Sequence, residues 1–196
     1  MLGCKRDSGE IRTCRTLEGV LCLIYRSAAK ADLPKVLDFY HRMIDLMQGS
    51  DFDVGWKRNV HPSDDYLAGS IDGNSMIIGV DEDGRVLSAL VLDQVKAKGY
   101  ENIPWTIDAS WDEIGVIHVL ITDPAYHRRG LARNLLHAAV DHARAMSLKA
   151  IRLDTFVSNH QSHCLYKSFG FECLGPHELL YEELGPRDFM IFELGL

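Results

Sequence analysis

Three things are missing from this chain of 196 residues. No uninterrupted apolar run approaches the ~18 residues that a membrane-crossing helix needs, and the stretch at 18–25 is short and strand-like. No basic stripe interleaved with aromatics is available to track a nucleic-acid backbone, because 21 Lys and Arg stand against 28 Asp and Glu for a net charge of −7. No Cys-x-x-Cys pair occurs among Cys4, Cys14, Cys22, Cys164 and Cys173, and the odd number speaks for reduced thiols rather than a disulfide framework. These absences argue against membrane and nucleic-acid partners and for a cytoplasmic protein. His160, His163 and Cys164 carry donor atoms for a metal, but they straddle a helix start with no second ligand pair nearby, so no metal is expected.

What is present is ordinary globular material, 46% hydrophobic and 25% charged, long enough for one substantial core. Residues 21–196 are expected to form a single domain. Residues 1–20 differ: Lys5, Arg6, Arg12 and Arg15 dominate and periodicity is absent, as in a disordered arm or an upstream extension. A first strand is expected at 21–26. Asp32 and Pro34 then open a helix whose Leu33, Val36, Leu37, Tyr40, Ile44 and Met47 share one face. A short helix follows Ser63, and strands at 76–80 and 85–95 are joined by a tight turn ending in Asp83 and Gly84. A strand at 113–122 precedes a helix with the stripe Leu131, Leu135, Leu136, Ala139, Ala143 and Met146. Further strands are expected at 150–157, 171–174 and 189–194, with a helix after Asn159. Alternating elements of this kind read as mixed α/β.

Between the strand and the helix lies a turn proline, Pro124, and then His127, Arg128, Arg129, Gly130, Leu131, Ala132 and Arg133, with no carboxylate interrupting the run. A helix start offers N–H groups without intrahelical partners and the positive end of the helix dipole, so this loop suits an anionic group such as pyrophosphate. Downstream stand Asn159, Leu165, Tyr166, Gly170 and Phe171 at fixed spacing. Together the two segments resemble the signature of the Gcn5-related N-acetyltransferases, whose loop pattern is Q/R-x-x-G-x-G/A and whose later pattern is N-x-x-A-x-x-L-Y-x-x-x-G-F. His127 stands where the first pattern has Gln or Arg, and Ser162 where the second has Ala.

The resemblance implies a mostly antiparallel sheet flanked by helices, with a splayed central strand pair forming an acetyl-CoA cleft. It implies transfer of acetyl from acetyl-CoA to a primary amine, by direct attack within a ternary complex, without a metal. Backbone groups of Leu120, Ile121 and Thr122 would pair with the pantetheine arm, and residues 127–133 would hold the pyrophosphate. Tyr166 is the candidate acid toward the sulfur, two helical turns from Asn159, which would cap the helix and contact pantetheine; packing is the alternative for Tyr166. Some members carry a glutamate where this chain has Val116. His118, on the same strand face, is the candidate base, with a histidine held beneath the sheet as the alternative; Asp112 and Glu113 acting through water, or solvent itself, are the other readings. Trp56, His61, Asp64 and Asp65 are candidates for the amine acceptor, through an aromatic wall and negative charge. A small-molecule acceptor is expected; a protein N-terminus or lysine, or a non-catalytic acyl-CoA sensor, are the alternatives. A homodimer is left open.

Overall fold

The computed structural model describes residues 5–7, 10–14, 22–50, 55–181 and 185–196. Among these, the order is β1 (Lys5–Asp7), β2 (Glu10–Cys14), β3 (Cys22–Ser27), α1 (Leu33–Met47), α2 (Asp64–Asp72), β4 (Met76–Val80), β5 (Val86–Asp93), β6 (Ile114–Thr122), α3 (Leu131–Ala145), β7 (Ala150–Phe156), α4 (His160–Phe169), β8 (Glu172–Tyr181) and β9 (Gly185–Gly195). The class is the expected one, mixed α/β with a mostly antiparallel sheet. The chain divides into two compact units: Met1–Val91 with Val119–Ala139, and Leu92–His118 with Val140–Leu196.

In the first unit β1, β2, β3, β4 and β5 pair in sequence order, all antiparallel. α1 forms where the sequence pattern places it, burying Val36, Phe39, Tyr40, Met43 and Ile44. That stripe packs with Leu67, Met76, Ile78, Ala89, Val91, Val119 and Ile121. Each large aliphatic side chain so buried contributes about 1.5–3 kcal/mol. Asp32 does stand at the N-cap of α1, but its carboxylate does not cap the helix. It accepts instead from both terminal nitrogens of Arg26, at 2.6 and 2.9 Å, and from the Ala29 N–H at 2.8 Å. A bidentate charged pair outcompetes a single backbone N–H, and the Arg26 bond holds the Asp32 pKa below the ordinary carboxylate value against the opposing effect of burial. Ser63 caps α2 as its position suggests, accepting from the Tyr66 N–H at 3.1 Å.

In the second unit β6 runs parallel to β7, and β7, β9 and β8 follow in antiparallel order. Its core gathers Tyr100, Ile103, Ile114, Val116, Ala150, Leu179, Phe189 and Ile191. A buried ion pair crosses it: Arg152 Nε donates to Glu193 Oε1 at 2.9 Å. Glu193 also accepts from the Thr106 N–H and hydroxyl and from the Ile107 N–H, while the Arg152 guanidinium lies 4.0 Å from the Trp105 ring centroid. Those contacts fasten the loop before β6 to the sheet.

Three differences from the sequence reading have physical causes. Strands β1 and β2 lie within residues 1–20, recruited by backbone pairing along β3, for example Ile11 with Tyr25. Leu21, the expected start of β3, and residues 1–4, 8–9 and 15–20 lie outside the described residues. β8 continues to Tyr181 because Gly175, at φ 89°, absorbs a register shift, and because β8 is an edge strand on which Pro176 removes no needed donor. Met146 is not in the α3 stripe: the helix ends at Ala145, Ser147 turns at φ 61°, and Met146 is 48% exposed.

Candidate active site

The loop after β6 is built from Asp123. Its Oδ1 accepts the Ala125 N–H at 3.0 Å, opening a single 3-10 turn at Pro124, and its Oδ2 accepts from Arg42 of α1 at 2.8 Å. Asp123 is thus buried and its charge compensated before the loop begins. Arg128 and Gly130 then adopt left-handed backbone, φ 62° and 82°. Arg129 is exposed, its guanidinium 5.5 Å from the Tyr126 ring centroid. The first intrahelical bond of α3 runs from the Asn134 N–H to the Gly130 carbonyl at 2.9 Å. The N–H groups at Leu131, Ala132 and Arg133 therefore precede the helical ladder and point out of the helix start. Arg128, Arg129 and Gly130 are exposed around them, as are His127 and Arg133, while Leu131 is buried as the first residue of the stripe and Ala132 is half-buried. Such a donor set fits a doubly anionic group.

Along β6 the backbone breaks its regularity at Val119, φ 46°, a conformation a β-branched residue rarely accepts. Tyr40, fully buried, donates its hydroxyl to the Val119 carbonyl at 3.0 Å and so holds the kink. After it, Leu120 and Thr122 are half-buried and Ile121 is buried in the first unit's core. In the second unit the β6–β7 ladder has three rungs, Ile114 with Ala150, Gly115 with Ile151 and Val116 with Arg152, and Ile117, His118 and Leu153 lie past its end. Val116 itself is fully buried in the core, consistent with an apolar residue there.

α4 carries Asn159 and Tyr166 in the second unit. Asn159 Oδ1 accepts the Ser162 N–H at 3.2 Å, and its Nδ2 donates to Thr155 Oγ1 at 3.3 Å. The helix stops at Gly170, φ 122°, whose N–H returns to Tyr166 and Lys167 carbonyls. The Tyr166 ring is 5% exposed and packs on Phe171 and Phe192, at 5.6 and 5.3 Å between centroids. Its hydroxyl has no hydrogen-bond partner among the described residues. Burial, and then the Asp154 charge, push the Tyr166 pKa well above the ordinary phenol value. The phenol is therefore a protonated, uncommitted donor. His163, in the same helix, gives its Nε2 to the Phe156 carbonyl at 3.1 Å. Among the described residues no group of three or more His, Cys, Asp or Glu is gathered as a metal site would require.

His118 is held by one nitrogen. Nε2 stands 3.1 Å from Asp93 Oδ1 and 3.1 Å from the Val95 carbonyl, two acceptors that fix the proton on Nε2 and leave Nδ1 with a lone pair when the ring is neutral. Burial disfavours its charged form, but Asp93, Asp154 and the Val95 carbonyl more than offset that, and its pKa lies above the ordinary value. The Asp93 partner was not foreseen.

The remaining candidates lie in the first unit. Trp56 is half-buried on the core, 6.5 Å from Tyr40 and edge-on to the exposed His61 at 5.8 Å. Asp64 is engaged by His41 Nε2 at 2.7 Å, and the Asn59 amide, suitably turned, donates to the same carboxylate. Asp65 is exposed in the first turn of α2. The sequence pattern also missed Arg42, Tyr40 as a hydrogen-bonding group, and Asp154, which accepts from the Tyr100 and Tyr181 hydroxyls. None has a local signature.

Comparison with known proteins adds a family. Among solved structures, a GNAT-family acetyltransferase from Listeria monocytogenes superposes with a TM-score of 0.64 at 19% identity, covering 94% of this chain and 100% of that one. A Salmonella typhimurium putative acetyltransferase solved with its cofactor acetyl-CoA gives 0.63 at 18% identity, covering 89% and 94%. These likenesses are of fold. In sequence, the N-alpha-acetyltransferase RimI of Mycobacterium tuberculosis is 33% identical over 69 residues, 35% of this chain and 42% of the relative. The chain spans less than half the length of the curated relatives it matches, 20% and 42%. The model of the Acetyltransferase (GNAT) family matches residues 40–171, which contain the loop, the kinked strand and the capped helix, and the chain belongs to that family.

Proposed function

We propose that the protein transfers the acetyl group of acetyl-CoA to a primary amine. The observation that carries this reading is the helix start of α3, where left-handed Gly130 and the N–H groups of the first helical turn stand among exposed cations. Residues His127, Arg128, Arg129, Gly130, Leu131, Ala132 and Arg133 would hold the pyrophosphate. Leu120, Ile121 and Thr122 would pair through their backbone with the pantetheine arm, and Asn159 would contact it while capping α4. Acetyl-CoA supplies an acyl group already activated as a thioester.

The chain's own side chains then have two proton tasks. An ammonium must be deprotonated before its nitrogen can form the new C–N bond, and the sulfur released as the C–S bond breaks must be protonated. Nδ1 of His118 would take the first proton, with Asp93 stabilising the resulting imidazolium. The Tyr166 hydroxyl would give the second, and the proton that the nitrogen sheds as it becomes an amide would restore the phenol, while the proton on His118 passes to solvent. Trp56, His61, Asp64 and Asp65 are the acceptor-side candidates of the first unit; the His41 and Asn59 bonds to Asp64 give that carboxylate a structural duty as well. A small-molecule acceptor in the cytoplasm is the first reading. Likeness to RimI favours a second, a protein N-terminus. Acetyl-CoA offered with small amines and with short peptides, followed by thiol release and product mass, tests both: an acetylated free amine supports the first, an acetylated peptide N-terminus the second, and cofactor binding without either product overturns transfer in favour of a sensor.

A further inference from the structure

Asp123 is the acidic residue nearest the cationic loop in sequence, and no other carboxylate follows before Asp141. It stands at the entrance to the loop with its side chain only 3% exposed. Its N–H donates to the Leu87 carbonyl at 2.9 Å, which fixes its place beside β5. Successive turns then keep the loop close. The Tyr126 N–H donates to the Asp123 carbonyl at 3.0 Å and the Arg129 N–H to the Tyr126 carbonyl at 3.3 Å, and each such turn spans less than ~7 Å between its end Cα atoms. An uncompensated carboxylate there would repel a diphosphate, and salt screens a buried charge much less than an exposed one. Arg42 supplies the counter-charge from α1. Its Nη1 donates to Oδ2 at 2.8 Å, while Phe39, one helical turn earlier, places its ring centroid 5.8 Å from the guanidinium. Arg85 is farther off at 4.0 Å and its side chain is 55% exposed, so it replaces Arg42 only in part. All of these residues belong to the first unit.

We propose that Arg42 is a positioning residue for the cofactor: by neutralising Asp123 it allows the start of α3 to accept the two phosphates of CoA. This rests on the acetyltransferase reading above. Arg42 acts through Asp123 and not on a phosphate. Asp123 is retained because its other oxygen, Oδ1, accepts the Ala125 N–H that opens the turn, and the arginine on α1 removes the electrostatic cost of keeping an acid at an anion site. A helix on the acceptor side of the sequence reading thereby sets the affinity of the cofactor loop.

The test is calorimetric titration of CoA into the wild type, Arg42→Gln, and Arg42→Gln combined with Asp123→Asn. The single variant leaves the buried carboxylate without its main partner, and CoA should bind at least about fivefold more weakly. In the double variant two amides replace the ion pair with a neutral hydrogen bond, and affinity should return to within about twofold of the wild type. A purely structural role, or a direct contact between Arg42 and a phosphate, predicts no such rescue. Absence of CoA binding by the wild type overturns the acetyltransferase reading and this role with it. Wild-type affinity in a folded Arg42→Gln, or a double variant as weak as the single one, overturns this role alone. Should Arg42→Gln not fold, Asp123→Asn decides, because its Oδ1 still accepts the Ala125 N–H. That variant should bind CoA at least as tightly as the wild type, and weaker binding overturns the proposal.

Discussion

Replacing Tyr166 with Phe separates chemistry from packing unusually cleanly. The ring contacts, 5.6 Å to Phe171 and 5.3 Å to Phe192, are retained by phenylalanine. The hydroxyl has no hydrogen-bond partner among the described residues, so the ~0.5–1.5 kcal/mol that a structural hydrogen bond contributes is not at risk. The hydroxyl itself keeps some access to solvent, so removing it is close to neutral, and the melting temperature should not fall. Turnover should fall by about 10²-fold, the usual effect of losing a positioned proton donor, with CoA affinity unchanged. The pKa displacement sets the pH behaviour. Because burial raises it, Tyr166 stays protonated throughout the neutral and mildly alkaline range, and no limb of the wild-type profile there belongs to it. The assay is single-turnover acetyl transfer, which excludes product release, alongside thermal denaturation. Full single-turnover activity in Tyr166→Phe, or a loss of stability matching the loss of rate, would refute the assignment.

Other perturbations follow from the same geometry. The His118 pKa is raised, so the neutral base is lost as pH falls through a value above the ordinary ~6.5, and kcat/KM should show an acid limb displaced upward; His118→Gln should abolish that limb, and a pH profile unaltered in shape would remove His118 from the mechanism. Arg152→Ala takes the charged partner from the Glu193 carboxylate, which is 2% exposed, and should destabilise the fold by about 3–5 kcal/mol by urea titration; a loss within a few tenths would mean that the Thr106 and Ile107 bonds hold that carboxylate without Arg152. Tyr40→Phe leaves the Val119 carbonyl without its donor and should cost about 1–3 kcal/mol, read in the same titration; a change within a few tenths would mean that the kink at Val119 holds without it.

The parts of the protein legible in its sequence are those that depend on neighbours a few residues away. Asn159 and Gly170 bracket α4 because capping and left-handed stops are local events, and the loop from His127 to Arg133 is readable because a helix start and its cations adjoin. The stripe of α1 is equally local, although Asp32 turned to Arg26 once the strand beside it supplied a bidentate partner. What escaped depends on distance along the chain. Arg42 and Asp123 are 81 residues apart, Tyr100 and Asp154 54, Tyr181 and Asp154 27. Nothing in the composition of either partner announces such a meeting. β1 and β2 escaped for another reason: the register of a backbone ladder recruited them without an apolar pattern to advertise it.

The central claim is that the start of α3 holds the pyrophosphate of CoA, and isothermal calorimetry of CoA with the wild type and Gly130→Glu tests it most directly. A Cβ at Gly130 meets nothing nearer than Asn134 Nδ2 at 3.8 Å, so the side chain has room, although φ 82° adds about 1–2 kcal/mol of strain. Gly130→Asn, which tolerates that backbone without adding charge, serves as the control. The wild type and Gly130→Asn should both bind CoA, and Gly130→Glu, folded but presenting a carboxylate to the phosphates, should bind at least about tenfold more weakly. Equal affinity in the wild type and Gly130→Glu, or no binding by the wild type, would contradict the account.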